Sequence, residues 1–356
     1  MKPLSFIIVG SGWRAQFFAR IAKQYPQLFR LEYMLCRSEE KARLMSETCQ
    51  IPTTTSVELC EAAKPDFVVT AVTKSDLYEV TKGWALKGYP VLCETPVGTS
   101  VEQLKEMWQL VSQKKIRVQV AEQYHRYPIL AAGLRAIEEG KIGDPCAAVL
   151  SVAHDYHGAS ILRRALQIEP QPVKLTGKRW NLPVRETDSR QGPVAGGSVK
   201  NSERVLVDME YACKKVAQYD FSGIQYHSFI RSRHINVQGQ EGEWNDTMLR
   251  YVDADRRPAA EPLTAYLAPE YEALRNSAMV PQSVTWSPFL TLDGAQDEFA
   301  IASMMYDMRR WIDGGAEVYP MAEALEDAYT WLLIQEAAAN PGKVIVGEEM
   351  PWHSKK

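Results

Sequence analysis

Short apolar runs alternate with longer helix-forming stretches between residues 4 and 120, and few folds accept that order. Each run is rich in apolar or β-branched residues, as buried parallel strands are. Parallel strands need a crossover connection, which is usually a helix packed on the sheet. The order therefore predicts an α/β fold with a doubly wound parallel sheet and helices on both faces. The runs are Leu4–Val9, Leu31–Cys36, Phe67–Val72, Pro90–Cys93 and Ile116–Val120.

A glycine pattern follows the first run directly. It matches G-x-G-x-x-A between a strand and a helix, as in Rossmann dinucleotide-binding domains. Gly10 permits the tight turn, Gly12 lets the backbone approach a pyrophosphate, and Ala15 allows the helix to pack closely on the strand. The N–H groups at the start of the helix would bind the anion. The residues predicted to hold a dinucleotide here are Gly10, Ser11, Gly12, Trp13, Arg14 and Ala15.

The end of the second run predicts which dinucleotide is bound. NAD sites usually place an acidic residue there, about 20 residues past the glycines, to bind the ribose. Here the run ends Cys36-Arg37-Ser38. A guanidinium with a neighbouring hydroxyl suits the 2′-phosphate of NADP, so we expect NADP, bound by Arg37 and Ser38. NAD stays open, because Glu39 or Glu40 would reach the ribose if the strand ended later.

Length, charge and cysteine usage exclude several classes of protein. At 356 residues the chain is long enough for two domains. Lys plus Arg number 41 against 44 for Asp plus Glu, a net charge of −3, so we expect no nucleic-acid partner. No stretch approaches the roughly 18 apolar residues of a membrane span. The six cysteines include no C-x-x-C pair, and we expect them to be reduced thiols in a cytoplasmic protein with no membrane partner.

Further along, the segment Val91-Leu92-Cys93-Glu94-Thr95-Pro96 resembles the h-V-h-C-E-K-P motif of the Gfo/Idh/MocA family of oxidoreductases. Other segments resemble the family's fourth-strand end beside the nicotinamide, its N-x-R-F-x-P crossover, its G-x-I/L-G entry to the second domain, and its paired C-terminal helices. These segments are 69–73, 121–128, 140–143, 298–314 and 321–339. The resemblance covers essentially the whole chain, more loosely from 160 to 290.

The resemblance implies a dinucleotide-binding Rossmann domain over 1–123 and an α/β domain with a large, mostly antiparallel sheet over 124–356. Family members typically use NAD or NADP to oxidise or reduce sugars, cyclitols and related polyols, with the substrate between the domains. Many pair through the open sheet, which implies a homodimer or homotetramer. The further cofactor-binding residues that the resemblance implies are Thr73, Glu94, Thr95, Pro96 and Gln123.

Two departures from the family pattern remove its usual proton-handling groups. The lysine of E-K-P is Thr95 here, and the G-G-x-x-x-D-x-x-x-H segment is represented by 196–204 with no following histidine. In the family, that lysine and that histidine polarise the reacting hydroxyl and relay its proton. A hydroxyl cannot easily give up hydride unless another group takes or stabilises its proton. Other residues must supply this function, or the ordinary reaction is lost.

The segment His154-Asp155-Tyr156-His157 offers replacements. It follows the apolar run 147–153, which we interpret as the first strand of the second domain. Strand alternation would place His154 and Tyr156 on one face, where an imidazole beside a phenol can relay a proton. Asp155 and His157 would lie on the other face, so histidines at this spacing predict no metal site. The predicted catalytic residues are His154, Tyr156, His157 and Glu94.

Other polar residues are predicted to bind the substrate. Residues 160–166 predict a short helix capped by Ser160, on which Arg163 or Arg164 would clamp an anionic or polyol ligand bidentately. The stretch 224–231 is strand-like. The Pro- and Gly-rich stretches 174–197 and 253–294 predict irregular excursions. The predicted substrate-binding residues are His125, Arg126, Arg163, Arg164 and His227.

These features together predict an NAD(P)-dependent oxidoreductase that acts on a CH–OH group of a sugar, cyclitol or related polyol. Two alternatives stay open because the usual lysine and histidine are missing. One is a glycosidase or lyase that keeps its nicotinamide bound and cycles it between redox states. The other is a non-catalytic protein that retains the nucleotide site.

Overall fold

A computed structural model describes residues 2–189, 191–266 and 294–353. Contacts divide the chain into two compact units. The first consists of Met1–Gln123 and Gly294–Ala328, and the second of Tyr124–Asp293 and Tyr329–Lys356. The chain therefore leaves the first unit after Gln123, returns to it at Gly294, and ends in the second unit.

The first unit is built on a parallel sheet. Its strands are β1 (Leu4–Val9), β2 (Phe29–Leu35), β3 (Thr53–Thr54), β4 (Phe67–Thr70), β5 (Val91–Cys93) and β6 (Val118–Val120). They lie in the order β3-β2-β1-β4-β5-β6, and every neighbouring pair is parallel. All residues of β1 are buried, as expected of a central strand with both faces covered. The predicted Rossmann-type sheet is confirmed. The strand β3 has no apolar run and is not predicted from the sequence.

The helices begin and end at local signals. They are α1 (Trp13–Gln24), α2 (Glu39–Cys49), α3 (Val57–Ala62), α4 (Lys74–Leu86), α5 (Val101–Ser112), α6 (Pro128–Glu138), α7 (Asp155–Ala165), α8 (Gly294–Ile312) and α9 (Met321–Ala339). Before α5, the Ser100 hydroxyl accepts a hydrogen bond from the Gln103 N–H at 3.3 Å. The Gln103 side chain accepts from the Thr99 N–H at 2.8 Å. The reciprocal bond of the capping box thus falls one residue earlier than its usual place.

The helix α8 packs within the first unit, whereas the sequence analysis assigned all of 124–356 to the second domain. Arg20 of α1 pairs with Glu298 of α8, with 2.6 Å between Nε and Oε1. Arg117 donates to the Trp311 carbonyl at 3.2 Å. These partners are 278 and 194 residues apart in the chain. A helical pattern predicts that α8 forms but does not indicate which sheet it covers.

The second unit is built on a nine-stranded sheet. Its strands are β7 (Pro145–Ser151), β8 (Val173–Arg185), β11 (Val199–Tyr211), β12 (Val216–Ser222), β13 (His234–Gly239), β14 (Gly242–Asn245), β15 (Met248–Val252), β16 (Pro258–Pro262) and β17 (Ile345–Val346). Their order is β16-β15-β14-β13-β7-β12-β11-β8-β17. The pair β7 and β12 is parallel, and the other neighbours are antiparallel. The predicted large, mostly antiparallel sheet is confirmed. A separate hairpin joins β9 (Asp188–Ser189) and β10 (Gly192–Pro193).

The two faces of the nine-stranded sheet differ in burial. One face carries buried apolar side chains, among them Leu175, Val207 and Tyr219. Because side chains alternate along a strand, the residues between them point to the opposite face. That face includes Trp180 and Leu182, whose exposed fractions are 36% and 43%. Within the described chain, this second face is open to solvent over the outer part of β8.

The stretch 174–197 is not an irregular excursion over its first half. β8 continues to Arg185, and its register with β11 places Pro183 opposite Asn201. Residues 178–183 are exposed on both faces of the sheet. Exposure on both faces removes the apolar alternation by which a strand is predicted from sequence.

The stretch 224–231 is not a strand either. Residues Gly223–His227 form a 3-10 helix that begins at Ser222 with a complete capping box to Gln225. The predicted excursion 253–294 includes the strand β16, and its residues 267–293 lie outside the described part of the chain. In the stretch 224–231, the capping box at Ser222 therefore favours a 3-10 helix, although the apolar composition is typical of a strand.

Gly133 in α6 and Gly83 in α4 allow a matched pair of substitutions. A Cβ at Gly133 would lie 2.4 Å from the ring of the fully buried Trp244, whereas one at Gly83 would meet nothing within 4 Å. We expect G133A to lower the free energy of unfolding by ~1–3 kcal/mol through overpacking. G83A should raise it by ~0.5–1 kcal/mol through helix propensity. Urea denaturation followed by circular dichroism measures both. A G133A variant as stable as the wild type would contradict the packing of α6 against Trp244.

Candidate functional site

The glycine turn after β1 combines one tight contact with one open space. Gly10 has φ +116°, and a Cβ there would lie 2.2 Å from the Ala71 carbonyl oxygen, so this position requires glycine. Gly12 has an extended backbone, and a Cβ there would meet nothing within 4 Å. The glycine at 10 is therefore required by the fold. The glycine at 12 leaves room for a ligand against the backbone.

The start of α1 is suited to bind an anion. Gly12 is its N-cap, no side chain caps the helix, and no acidic residue lies in the first turn. The first N–H groups of a helix have no partner within it and attract negative charge. Ala15 is completely buried, which allows α1 to lie close to the sheet. A pyrophosphate fits this helix end and the space over Gly12.

A polar cluster lies beside this turn. Arg14 of α1 contacts Glu94, the residue after β5, with 2.8 Å between Nε and Oε1. The same guanidinium contacts Asp297 of α8, with 3.1 Å between Nη1 and Oδ1. Glu94 and Asp297 are buried. Burial raises the pKa of the Glu94 carboxyl, and Arg14 opposes that rise. Sequence reasoning placed Arg14 and Glu94 in the site but missed Asp297, which no motif marks.

Gln123 completes the cluster and has an unused acceptor. Its Nε2 lies 3.3 Å from the Asp297 Oδ1, and its Oε1 is buried without a hydrogen-bond partner in the described structure. An unsatisfied buried oxygen costs about 1–3 kcal/mol, which a bound donor would recover. The carboxamide of a nicotinamide offers such a donor. The residues at this turn and cluster thus fit a dinucleotide.

The remaining predicted cofactor residues lie at strand ends of the same sheet. The Ser38 hydroxyl caps α2 by accepting from the Lys41 N–H at 3.2 Å, while Arg37 is exposed. Thr73 is exposed at the start of α4, and its hydroxyl donates to Asp76 at 2.7 Å. Thr95 is half-buried and donates its N–H to the Glu94 carboxylate at 3.3 Å. Pro96 is buried beside it in the chain. Ser38 therefore has a structural role of its own, and Arg37 is the more accessible of the predicted pair.

A second cluster, in the second unit, surrounds His154. The residue precedes α7, and its Nδ1 lies 2.6 Å from the Tyr226 hydroxyl. That hydroxyl oxygen also accepts from the His154 N–H at 3.0 Å and lies 3.1 Å from the Tyr124 hydroxyl. Burial raises the pKa of Tyr226 to about 12, so its phenol stays neutral in the ordinary pH range. This His–Tyr–Tyr chain can hold and move a proton.

The structure corrects the strand alternation predicted for this segment. β7 ends at Ser151 and α7 begins at Asp155, so Tyr156 and His157 lie on the first turn of a helix. The rings of His154 and His157 are neighbours, with 5.0 Å between centroids. The phenol bonded to His154 is that of Tyr226. Tyr156 instead packs against Trp331, with 5.7 Å between ring centroids. No sequence spacing points to Tyr226, which is 72 residues away from His154.

The predicted substrate-binding residues lie on α7 and on two 3-10 turns. Ser160 does not cap a helix, because α7 begins five residues earlier and encloses it. Arg163 is buried in α7, and Arg164 next to it is half-buried. His125 and Arg126 form one 3-10 turn, with 3.3 Å between Arg126 Nε and His125 Nε2. His227 ends the turn that carries Tyr226. His227 is therefore the chain neighbour of the tyrosine whose hydroxyl contacts His154.

The described residues contain neither a candidate metal cluster nor a helix that could cross a membrane. Over 2–189, 191–266 and 294–353, no group of three or more His, Cys, Asp or Glu side chains is arranged to hold a metal. Among the helices of that same part of the chain, none has the length and apolar character needed to cross a bilayer.

Family comparison matches residues 4–122 to the Gfo/Idh/MocA model, which describes an oxidoreductase family with an NAD-binding Rossmann fold. This confirms the family resemblance predicted from the motifs, over the part of the chain that forms the parallel sheet. The glycine turn and the Glu94 segment therefore lie within the residues that match the NAD-binding Rossmann fold of this family. No curated protein sequence matches the chain.

Solved structures share the fold at low sequence identity. An NAD binding oxidoreductase from Klebsiella pneumoniae has a TM-score of 0.70 at 16% identity, covering 98% of this chain and 100% of its own. Levoglucosan dehydrogenase in complex with NADH has 0.69 at 17%, covering 95% and 97%. The WlbA dehydrogenase from Bordetella pertussis, in complex with NADH and UDP-GlcNAcA, has 0.65 at 13%, covering 96% and 98%. At these identities the likeness establishes the fold.

Proposed function

We propose that this chain, whose residues 4–122 match the NAD-binding domain of Gfo/Idh/MocA oxidoreductases, is an NAD(P)-dependent oxidoreductase acting on a CH–OH group of a sugar, cyclitol or related polyol. The observation that carries the proposal is the glycine turn, with open space over Gly12 beside an uncapped helix start. That combination is built for a pyrophosphate. The proposed location is the cytoplasm, where the six free thiols would stay reduced.

The cofactor would be held at three places. The N–H groups of the Gly10–Ala15 turn would bind the pyrophosphate, and Arg37 and Ser38 would meet the adenosine ribose. Glu94, Thr95 and Gln123 would line the nicotinamide end, with Thr73 and Pro96 at the neighbouring strand ends. The nicotinamide, when bound, supplies the acceptor or donor of hydride. The protein's own residues must then bind the substrate and handle its proton.

His154 is the proposed base that accepts the proton of the substrate hydroxyl. In the tautomer with a proton on Nδ1, the Tyr226 oxygen accepts from the ring and from the His154 N–H, and the phenol proton of Tyr226 goes to Tyr124. Nε2 is then the basic nitrogen. It takes the proton of the substrate hydroxyl as hydride leaves the carbon, which gives a carbonyl product and an imidazolium held by Tyr226. Tyr156 and His157 pack around His154 and would orient it.

A carbohydrate-like substrate is proposed on two grounds, which are the structural relatives and the polar residues of this chain. Two structural relatives are a levoglucosan dehydrogenase and a dehydrogenase bound to UDP-GlcNAcA, which supports a carbohydrate-like substrate. Arg164, His125, Arg126 and His227 stay proposed ligands of its hydroxyl groups. Arg163 is buried and would act by supporting α7.

The surroundings of Arg37 are the reason for proposing NADP as the cofactor in preference to NAD. Its side chain is exposed at the end of β2 and makes no hydrogen bond or ion pair to the described residues. Glu39 is a first-turn residue of α2 whose carboxylate accepts from the Thr55 hydroxyl, which reduces its availability for a ribose. A free guanidinium favours a 2′-phosphate.

A homo-oligomer is proposed on the open face of the nine-stranded sheet. Trp180 and Leu182 lie there on one side of β8, two residues apart, and are well exposed. Large apolar side chains grouped on an open face mark association surfaces. A second copy of the chain would cover them and give a homodimer, or a homotetramer through a further contact.

The first test is titration with NADH and NADPH, followed by nicotinamide fluorescence. We expect NADPH to bind more tightly, and R37A to weaken NADPH by about tenfold, as expected for loss of a charge-assisted hydrogen bond, with little effect on NADH. G12D should abolish binding of both through charge and bulk at the pyrophosphate, with the fold kept because its Cβ position is open.

Three outcomes would contradict these assignments. An R37A variant with unchanged NADPH affinity removes the basis for NADP. Binding without any net change of NAD(P)H across a panel of sugars and glycosides favours the redox-cycling glycosidase or lyase if the substrate is converted, and the non-catalytic protein if it is not. Binding of neither nucleotide leaves the fold and overturns the enzymatic proposal.

The second test addresses His154. We expect H154Q and Y226F to lower kcat for polyol oxidation, H154Q by about 10²-fold or more, the usual worth of a general base. Activity in the oxidation direction should rise with pH as the imidazole loses its proton, and H154Q should lose that dependence. The control is Y219F, since the Tyr219 hydroxyl accepts a hydrogen bond from the Asp155 N–H at 2.9 Å and, in the described part of the chain, makes none to His154 or Tyr226. A wild-type pH profile in H154Q would overturn the assignment.

The third test measures association. L182D should lower the mass of the oligomer in sedimentation experiments, because it places a charge on the open sheet face. L86D is the matched control, since Leu86 is an exposed leucine at the end of α4 in the first unit. A wild-type chain that stays monomeric at high concentration would refute the oligomer.

A further inference from the structure

The nucleotide turn contains an arginine that joins three separate segments. Arg14 lies in the first turn of α1, two residues after Gly12. Its guanidinium contacts Glu94 at the end of β5 and Asp297 at the start of α8, at 2.8 and 3.1 Å. The carboxyl ends of parallel strands form the ligand-binding edge of such sheets. The arginine therefore belongs to the binding edge of the sheet.

The guanidinium of Arg14 contacts two buried carboxylates. The residues that carry them, Glu94 and Asp297, are 7% and 9% exposed. A buried carboxylate without a cation is strongly unfavourable, and two of them also repel each other. The groups that face Glu94 are Arg14, Asp297 and the N–H of Thr95. Removal of Arg14 would leave the Glu94 carboxylate beside that of Asp297, with the Thr95 N–H as the remaining donor that faces it.

A second observation indicates that the cluster meets a ligand. Gln123 donates to Asp297, and its Oε1 is buried without a partner in the described structure. Gln123, which carries this oxygen, follows the end of β6, and β6 is the neighbour of β5 in the sheet. The ionic cluster and the unused acceptor thus stand at adjacent strand ends.

We infer that Arg14 is the positioning residue of the nicotinamide end, which holds the Glu94 carboxylate charged and in place. The inference rests on the proposed function, since it assigns the role of one residue within that cofactor site. Arg14 acts through Glu94, and Asp297 fixes the other side of its guanidinium.

Arg20 provides a matched control on the same helix. It also pairs with α8, through Glu298, at 2.6 Å. Its side chain is 45% exposed, against 21% for Arg14. An exposed ion pair contributes little because water and salt screen it. R20M therefore removes a contact between the same two helices without uncovering a buried carboxylate.

The experiment compares R14M, R14K, R20M, E94Q and the double variant R14M/E94Q. Two quantities are measured at mildly acidic and mildly alkaline pH. One is the affinity for NADH or NADPH, by nicotinamide fluorescence. The other is the midpoint of thermal unfolding without nucleotide, which does not depend on any bound cofactor.

We expect R14M to weaken nucleotide binding by about tenfold or more at alkaline pH, the cost of an uncompensated buried charge. The loss should shrink at acidic pH. Burial already raises the pKa of Glu94, and loss of Arg14 raises it further. The penalty on folding is therefore absent below the unfolded-state pKa of the carboxyl, grows as pH rises from there to the raised folded-state pKa, and is complete above it. The unfolding midpoint of R14M should follow the same direction.

Rescue distinguishes this role from general packing. Adding E94Q to R14M should restore much of the midpoint at alkaline pH, since no unpaired carboxylate remains at that position. R14K should retain part of the wild-type behaviour, and R20M all of it. An R14M variant that matches R20M at both pH values, or one that E94Q does not rescue, overturns the inference. If the wild type binds neither nucleotide, the proposed function fails, and the unfolding midpoints alone decide the role of Arg14.

Discussion

The contact between Gly10 and the Ala71 carbonyl is the constraint on which the nucleotide half of the molecule depends. β1 lies between β2 and β4 and is completely buried, so the chain must turn at the edge of the sheet. Only glycine can turn there, because a Cβ at this position would lie 2.2 Å from the Ala71 carbonyl oxygen and because the backbone has φ +116°. The turn sets the start of α1. The open space over Gly12 and the position of Arg14 follow from that start.

The two units handle charge in different ways. In the first, a buried carboxylate and its neighbour share one guanidinium, and the charge of Glu94 depends on that pairing. In the second, the Nδ1 of His154 contacts the Tyr226 hydroxyl, a phenol that stays neutral because burial raises its pKa to about 12. A neutral phenol orients an imidazole without placing a charge beside it. The proposed division between cofactor binding and proton transfer follows this difference.

Prediction from sequence succeeded where the signal was local. The apolar runs of the parallel sheet, the glycine turn and the cap at Ser100 each depend on residues within a few positions of one another. It failed for β8, which is exposed on both faces and so has no alternation. It also failed at α7, where an apolar strand is followed directly by a helix and the alternation of β7 was extended too far. In both cases the missing information was the burial that the neighbours impose.

The sequence by itself determined the nucleotide-binding fold, because the spacing of apolar residues and glycines defines which backbone conformations each segment can adopt. It also determined that Thr95 carries no charge where related motifs have lysine. The tertiary structure alone decided which distant side chains meet at the two clusters. Arg14 meets Asp297 across 283 residues, and His154 meets Tyr226 across 72. Such partners share no periodicity, since they are selected by the packing of α8 on the first unit and of a 3-10 turn on the second. Local pattern encodes the elements, and the chemistry of the sites arises where distant elements meet.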